Sequence, residues 1–280
     1  MLAGTSVLFD GLRFPEGCRW HAGRLWFSDM HTGRLYSADP DTADLRVEFT
    51  VDARLSGIDW LPDGTLVVSS MLDRLVLRRR PGGEVETHAD LSHVTEHPIN
   101  DLVVDRTGRV LVGGFGYDLY GGADQQPGPI IGVSPDGAVE VLADDLVFPN
   151  GMVLVDDVTL VVAETWAARL TAFEIAPDGA LTNRRTWAPL PDGATPDGIA
   201  LDGDGIWVSD IVGGRFLRVR EGGEVTETIE LEGRLAVDCI VGGADGRTLL
   251  LSTANSWDPE QTAVREGRIE RLRLPSATTG

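Results

Sequence analysis

Six short residue pairs recur along this chain, each at the start of an apolar, alternating run: Glu16-Gly17, Ser56-Gly57, Asn100-Asp101, Asn150-Gly151, Asp197-Gly198 and Asp238-Cys239. Every first member carries a side-chain oxygen, and none is a histidine or cysteine. If these six side chains converge, they suit a hard divalent cation, because such ions prefer oxygen donors and softer ones prefer imidazole or thiolate. Calcium is the first expectation. Zinc, manganese and magnesium also accept carboxylate oxygens, and the residue types do not choose among them. A single Asn-Gly or Asp-Gly pair is an ordinary turn former. Here the polar residue follows Pro in Phe14-Pro15-Glu16, Phe148-Pro149-Asn150 and Thr195-Pro196-Asp197, and the hairpin turns lie elsewhere, so the recurrence reads as a site.

The elements that must position these residues follow from the spacing. Successive marks are 40, 44, 50, 47 and 41 residues apart, the period of propeller blades. After most marks come a strand-like run, a tight turn and a second run, as in IDWLPDGTLVVSS, LVVDRTGRVLVGG and IALDGDGIWVSD. Turns such as Pro62-Asp63-Gly64 and Arg106-Thr107-Gly108 supply the backbone freedom that reversals need. No window sustains a helix face with caps at both ends. The pattern predicts an all-β, six-bladed β-propeller of four-stranded antiparallel blades, forming a single domain over 1–280. In that fold the innermost strand of each blade lines a central channel, so equivalent positions converge on one axis. The alternating run Arg268 to Leu274 is expected to pair with Ser6 to Phe9 and close the ring, which removes exposed sheet edges. Gly121 to Pro129, GGADQQPGP, reads as an insertion bordering the channel mouth.

Composition limits the partners. Acidic residues outnumber basic ones 44 to 24, and a net charge of −20 opposes nucleic acid and anionic membrane surfaces. No run approaches the roughly 18 to 20 apolar residues that span a bilayer, and the N-terminal MLAGTSVLFDGLRFPEG lacks a basic start followed by an apolar stretch. Two cysteines, Cys18 and Cys239, without CxxC spacing, suggest neither a disulfide framework nor a thiolate zinc site, so a cytoplasmic location is expected. No Gly-x-Ser-x-Gly elbow is present, which disfavours a serine hydrolase. His21 and His31 read as surface residues, whereas His97, just before Asn100, is a candidate for substrate contact.

The segments RFPEGCRWHAGRLWFSDMHTGRLY, PINDLVVDRTGRVLVGG, FPNGMVL and TPDGIALDGDGIWVSD, in this order, resemble the senescence-marker-protein/gluconolactonase family of regucalcin-like lactonases. The resemblance implies one divalent metal held by Glu16, Asn150 and Asp197, with Asn100 as a further ligand and the Asn100-Asp101 pair near metal, water or substrate. It implies hydrolysis of a small lactone, with the metal polarising the carbonyl, Asp197 acting as ligand and general base, and Glu16 anchoring charge. Sugar-lactone members often carry an arginine two residues before that asparagine; this chain has Pro98. Phe14, Phe115, Tyr117, Phe148, Trp166 and Trp257 are candidates for an apolar channel mouth, with Tyr117 and Trp166 the expected substrate contacts. Two alternatives share the ring: hydrolysis of a phosphotriester or other activated ester, and calcium or ligand binding without turnover.

Overall fold

Runs of five to nine residues, apolar on alternate positions and broken by glycine-bearing turns, fold among the described residues as 24 strands in six four-stranded antiparallel sheets. The computed structural model describes residues 4–275; residues 1–3 and 276–280, the ends of the expected 1–280 span, lie outside the described residues. The inner strands are Pro15–His21, Leu55–Trp60, Ile99–Val104, Pro149–Leu154, Pro196–Asp202 and Leu235–Gly242, and we number blades 1 to 6 by them. Five blades are contiguous in sequence. Blade 6 takes its outermost strand, Thr5–Leu12, from the other end of the chain, pairing it with Gly267–Arg273 in the register Ser6 with Arg271 and Phe9 with Ile269. The expected closure is therefore present, and with it the expected propeller.

Local chemistry explains the reversals. Ala22 and Gly23 both take positive φ, 49° and 78°, between paired His21 and Arg24, the geometry whose twist matches two antiparallel strands. In blade 3 the Gly108 N–H donates to the Asp105 carbonyl at 2.9 Å. Helix is confined, among the described residues, to 3-10 turns such as Met30–Thr32 and Thr165–Ala167. No helix of the described residues is long and apolar enough to cross a membrane.

Six apolar cores lie between neighbouring blades. Trp207 and Phe216 of blade 5 pack on Leu249 and Leu251 of blade 6, and Phe27 of blade 1 packs on Leu250 and Ile269 of blade 6. Each fully buried aromatic of this kind contributes about 1.5–3 kcal/mol by leaving water. A seventh cluster, with Phe14, Met30, Met71, Phe115, Phe148 and Val237 among its members, gathers residues from several blades at one end of the channel. Cys18 and Cys239 are both buried and free, in the different cores on either side of blade 6.

Candidate active site

The inner strands are all irregular at the same place. Regular pairing breaks between Glu16 and Arg19, Leu55 and Ile58, Ile99 and Leu102, Pro149 and Met152, Pro196 and Ile199, and Ala236 and Asp238. A bulge re-aims side chains that would otherwise alternate across the sheet, and here it turns one residue per blade toward the axis. The glycines beside these residues are not turn formers. A Cβ on Gly57 would lie 2.0 Å from Asp101 Oδ1, one on Gly198 1.9 Å from Asp238 Oδ1, and one on Gly151 2.5 Å from the Asp197 carbonyl. They are required because neighbouring blades approach backbone to backbone at the axis.

That register corrects the sixth mark. Ser56, Asn100, Asn150 and Asp197 each come directly after the last regularly paired residue and Glu16 directly after Pro15, and the equivalent in blade 6, after Ala236, is Val237. Asp238 stands at the glycine position, as does Asp101 in blade 3. The ring is thus five oxygen donors and one valine.

Glu16, Asn100, Asn150 and Asp197 line one cavity. Burial pushes the Glu16 carboxyl well above its ordinary range, and Asp197 pushes it further; Asp197 is raised chiefly by burial and then by Asp238. Glu16 Oε1 is buried without a hydrogen-bond partner. Asn150 Nδ2 donates to Thr165 Oγ1 at 3.2 Å, and Thr165 donates in turn to the Pro196 carbonyl at 2.7 Å. Ser56 Oγ donates to Asn100 Oδ1 at 3.3 Å, so the oxygen expected as a fourth ligand is engaged by a neighbour.

Blades 1, 4 and 5, which carry Glu16, Asn150 and Asp197, share a support that the other blades lack. Opposite each marker proline sits a fully buried carboxylate: Asp29, Glu164 and Asp210. Asp29 accepts from the N–H groups of Arg13 and Phe14 at 3.0 and 2.8 Å, Glu164 from that of Val147 at 2.7 Å, and Asp210 from that of Thr195 at 2.8 Å. A carboxylate taking backbone N–H groups holds the chain leading into each donor. The sequence signal was a second acidic residue 14 or 15 positions after the proline.

Below the donor ring lies an internal ion cluster. Asp101, expected to meet substrate, is instead bound to Arg19 at 3.1 Å, with both side chains nearly buried, and accepts from the Leu102 N–H at 2.8 Å. Asp238, on the blade diametrically opposite, accepts from the N–H groups of Cys18 and Cys239 at 2.5 and 2.7 Å. Burial, then Asp101, raises its carboxyl to about 7. Arg19 is the counter-ion between them.

Above the ring, the cavity of about 700 Å³, counting its open mouth, has walls of Phe14, Met30, Met71, Phe115, Phe148 and Trp257. Trp166 lines it too, 40% exposed. Tyr117 stands behind the wall, its hydroxyl accepting from Trp166 Nε1 at 2.8 Å. His97 is not brought to the mouth; it borders a separate groove with Thr95 and Gly116. Leu119 and Tyr120, just ahead of the Gly121 to Pro129 insertion, do line the cavity. The two histidines read as surface residues are partly packed: His21 stacks on Trp60 at 3.9 Å, and His31 bonds Thr262 Oγ1 at 2.7 Å.

Among the described residues no three His, Cys, Asp or Glu side chains form a metal cluster. The donor set is two carboxylates and carboxamides, and it fits a cation by charge: both carboxyls are raised by burial and by neighbouring carboxylates, and one oxygen is orphaned, a state that a bound divalent ion relieves.

Comparison with known proteins agrees with this architecture. A pentonolactonase of Haloferax volcanii is 28% identical over 99% of this chain and 95% of its own length. A 6-deoxy-6-sulfogluconolactonase of Pseudomonas putida is 26% identical over 82% and 79%. The solved structure of a calcium-binding regucalcin of Agrobacterium tumefaciens superposes with a TM-score of 0.80 at 21% identity, covering 98% of this chain and 94% of that one, a likeness of fold. The sequence profile of the SMP-30/Gluconolactonase/LRE-like region matches residues 14–255, from the start of the first blade into the last, and the chain belongs to that family.

Proposed function

We propose that this protein is a divalent-metal-dependent lactonase, with Glu16, Asn150 and Asp197 holding the ion and calcium as the preferred metal. The observation that carries the reading is the pair of buried carboxylates, Glu16 and Asp197, facing one cavity with an oxygen left unpartnered. The lactonase names of two relatives and the calcium-binding neighbour support it.

A divalent cation held there supplies Lewis acidity to a carbonyl oxygen. The protein's own groups do the rest. Asp197 takes a proton from the water that attacks the carbonyl carbon. As the ring C–O bond breaks, the same carboxyl returns that proton to the leaving ring oxygen, releasing a hydroxy acid. Asn100 turns its Nδ2 toward substrate while Ser56 holds its oxygen, and Phe14, Phe148 and Trp166 exclude bulk water from the carbonyl.

The test is acid release from aliphatic, aromatic and sugar lactones by metal-stripped protein reloaded with calcium, magnesium, manganese or zinc. Metal-dependent hydrolysis that is lost in Asp197→Asn, with metal still bound, supports the base assignment. Turnover unchanged in that variant rejects it. Tight metal binding with no hydrolysis of any lactone moves the reading to another ester class or to binding without turnover.

A further inference from the structure

The residue that follows the second strand of a blade has one position in common across blades 1 to 5. Met30, Met71, Phe115, Thr165 and Ile211 each donate a backbone N–H to the carbonyl two places before the inward donor, that of Phe14, Arg54, Pro98, Phe148 and Thr195, at 2.9–3.1 Å. All five line the cavity directly above Glu16, Asn100, Asn150 and Asp197. The bonds that fix this layer also use up its backbone donors, so the layer offers a substrate side chains alone, and four of the five are apolar.

The rest of the wall is no more polar. Beyond the donor ring, among the described residues, the side chains with an N–H or O–H that line the cavity are Thr165, Tyr120, Trp166 and Trp257. Thr165 donates to the Pro196 carbonyl at 2.7 Å, Trp166 Nε1 donates to the Tyr117 hydroxyl at 2.8 Å, and the Tyr120 hydroxyl is bonded to Arg54. Trp257 is 51% exposed and stands where water reaches it. A substrate hydroxyl drawn into this space would exchange water for methionine, isoleucine and aromatic carbon, and a buried hydroxyl without a partner is unfavourable. An alkyl group gains from the same transfer.

We propose that the preferred substrates are lactones bearing an apolar substituent, an alkyl chain in place of the hydroxyls of a sugar lactone, and that Met30, Met71, Phe115 and Ile211 set this preference. The carbonyl reaches the donor ring while the substituent runs up the wall toward Trp257. This rests on the lactonase reading.

The test compares three γ-lactones on calcium-loaded protein: γ-butyrolactone with a methyl group on the carbon next to the ring oxygen, its hexyl counterpart, and the γ-lactone of a hexonic acid. Each kcat/KM is divided by the compound's uncatalysed rate constant. A fully buried methylene is worth about fourfold, and about twofold on a wall open on one side, so the five extra methylenes should favour hexyl over methyl by about thirtyfold. Hexyl should exceed the hexonic lactone by about 100-fold. Met71→Gln, which places an amide in the wall at nearly constant volume, should cut the second ratio about tenfold. Trp257→Ala, at a half-exposed site that does not threaten the fold, should cut the first about threefold or more. A reduced ratio in either variant supports the proposal; both ratios unchanged in both variants, or a wild-type preference for the hexonic lactone, overturns it. If no lactone is hydrolysed, the lactonase reading fails separately, and the wall is judged by calorimetric binding of the same uncleaved compounds. Hexyl binding about tenfold or more tighter than that of the hexonic lactone supports the apolar site; equal binding, or none, overturns it.

Discussion

Thr165 accepts a hydrogen bond from the carboxamide of Asn150, and this contact fixes which way the carboxamide faces. The Thr165 proton is committed to the Pro196 carbonyl at 2.7 Å, so at 3.2 Å from Asn150 the hydroxyl can only accept, and the partner atom must be Nδ2. Asn150 Oδ1 is thereby left for a cation. Thr165→Val should lower calcium affinity by about 10–100-fold, as loss of a ligand's supporting partner does, and Thr165→Ser should retain it. Calorimetric titration of the metal-stripped protein measures both; equal affinity in Thr165→Val would remove Thr165 from the site's support.

The three carboxylates behind the donor strands predict a second pattern. Asp210 holds both the N–H and the hydroxyl of Thr195, at 2.8 and 3.0 Å, and is paired with Arg215 at 2.8 Å. Asp210→Ala leaves a buried N–H unpaired, which costs about 1–3 kcal/mol, and it loosens the turn that aims Asp197. Denaturant unfolding should register the stability loss and metal titration a parallel loss of affinity. Stability lost with affinity intact would mean that the carboxylate serves the blade alone.

Arg19 is predicted to be essential to the ring's lower layer. It links blade 1 to blade 3 through Asp101 at 3.1 Å and the Leu102 carbonyl at 2.7 Å, with side-chain exposures of 13% and 10% for Arg19 and Asp101. Arg19→Met strands the buried carboxylates of Asp101 and Asp238 and should cost about 3–5 kcal/mol. Restoration in the double variant Arg19→Met, Asp101→Asn would identify the uncompensated charge as the cause.

Removing charge from the donor ring should have the opposite sign in the metal-free protein. Glu16 and Asp197 have folded-state pKa values raised above their ordinary ones by burial and by neighbouring carboxylates. Their contribution favours the fold below the ordinary carboxyl pKa and is lost as pH rises through the raised values. Metal-stripped wild type should therefore lose melting temperature as pH rises above the ordinary carboxyl range, and Glu16→Gln should lose less, while adding calcium should stabilise wild type and not the variant. A melting curve insensitive to both substitutions and calcium would count against a cation between these groups.

Most of the fold was legible because a propeller repeats its own rules. The same hairpin returns in each blade, the oxygen-bearing mark in five of them and the close-packed glycine in four, and the alternating run at Arg268 announced the closure with Ser6 to Phe9. The convergence of Glu16, Asn150 and Asp197 on one cavity was legible because proline precedes each and the three recur in register. The sixth position was misread by one residue because valine carries no chemical signal and the adjacent Asp238 does. Asp101 was misread for a related reason. In sequence it is half of an Asn-Asp pair, and only the approach of blade 2, within 2.0 Å of where a Gly57 Cβ would stand, shows that it occupies a glycine's place. Arg19 was missed because its partners, Asp101 and the Leu102 carbonyl, belong to another blade. His97 looked close to Asn100 along the chain, but it lies in the bend at Glu96 and His97, before the inner strand begins, and the two residues border different cavities.

The seam in blade 6 has a consequence for how the site comes into being. Thr5 and Glu270 meet there across 265 positions of sequence, and the Asp238 carboxylate that grips the Cys18 N–H belongs to the same blade. Contacts so remote along the chain form late, since the entropy of bringing them together must be overcome first. A nascent chain therefore carries Glu16 from the outset but holds it without its neighbours until the last blade docks. On the proposed reading, competence to capture an ion is a property of the finished circle, and premature release from folding would yield a protein with all five oxygen-bearing residues and no centre.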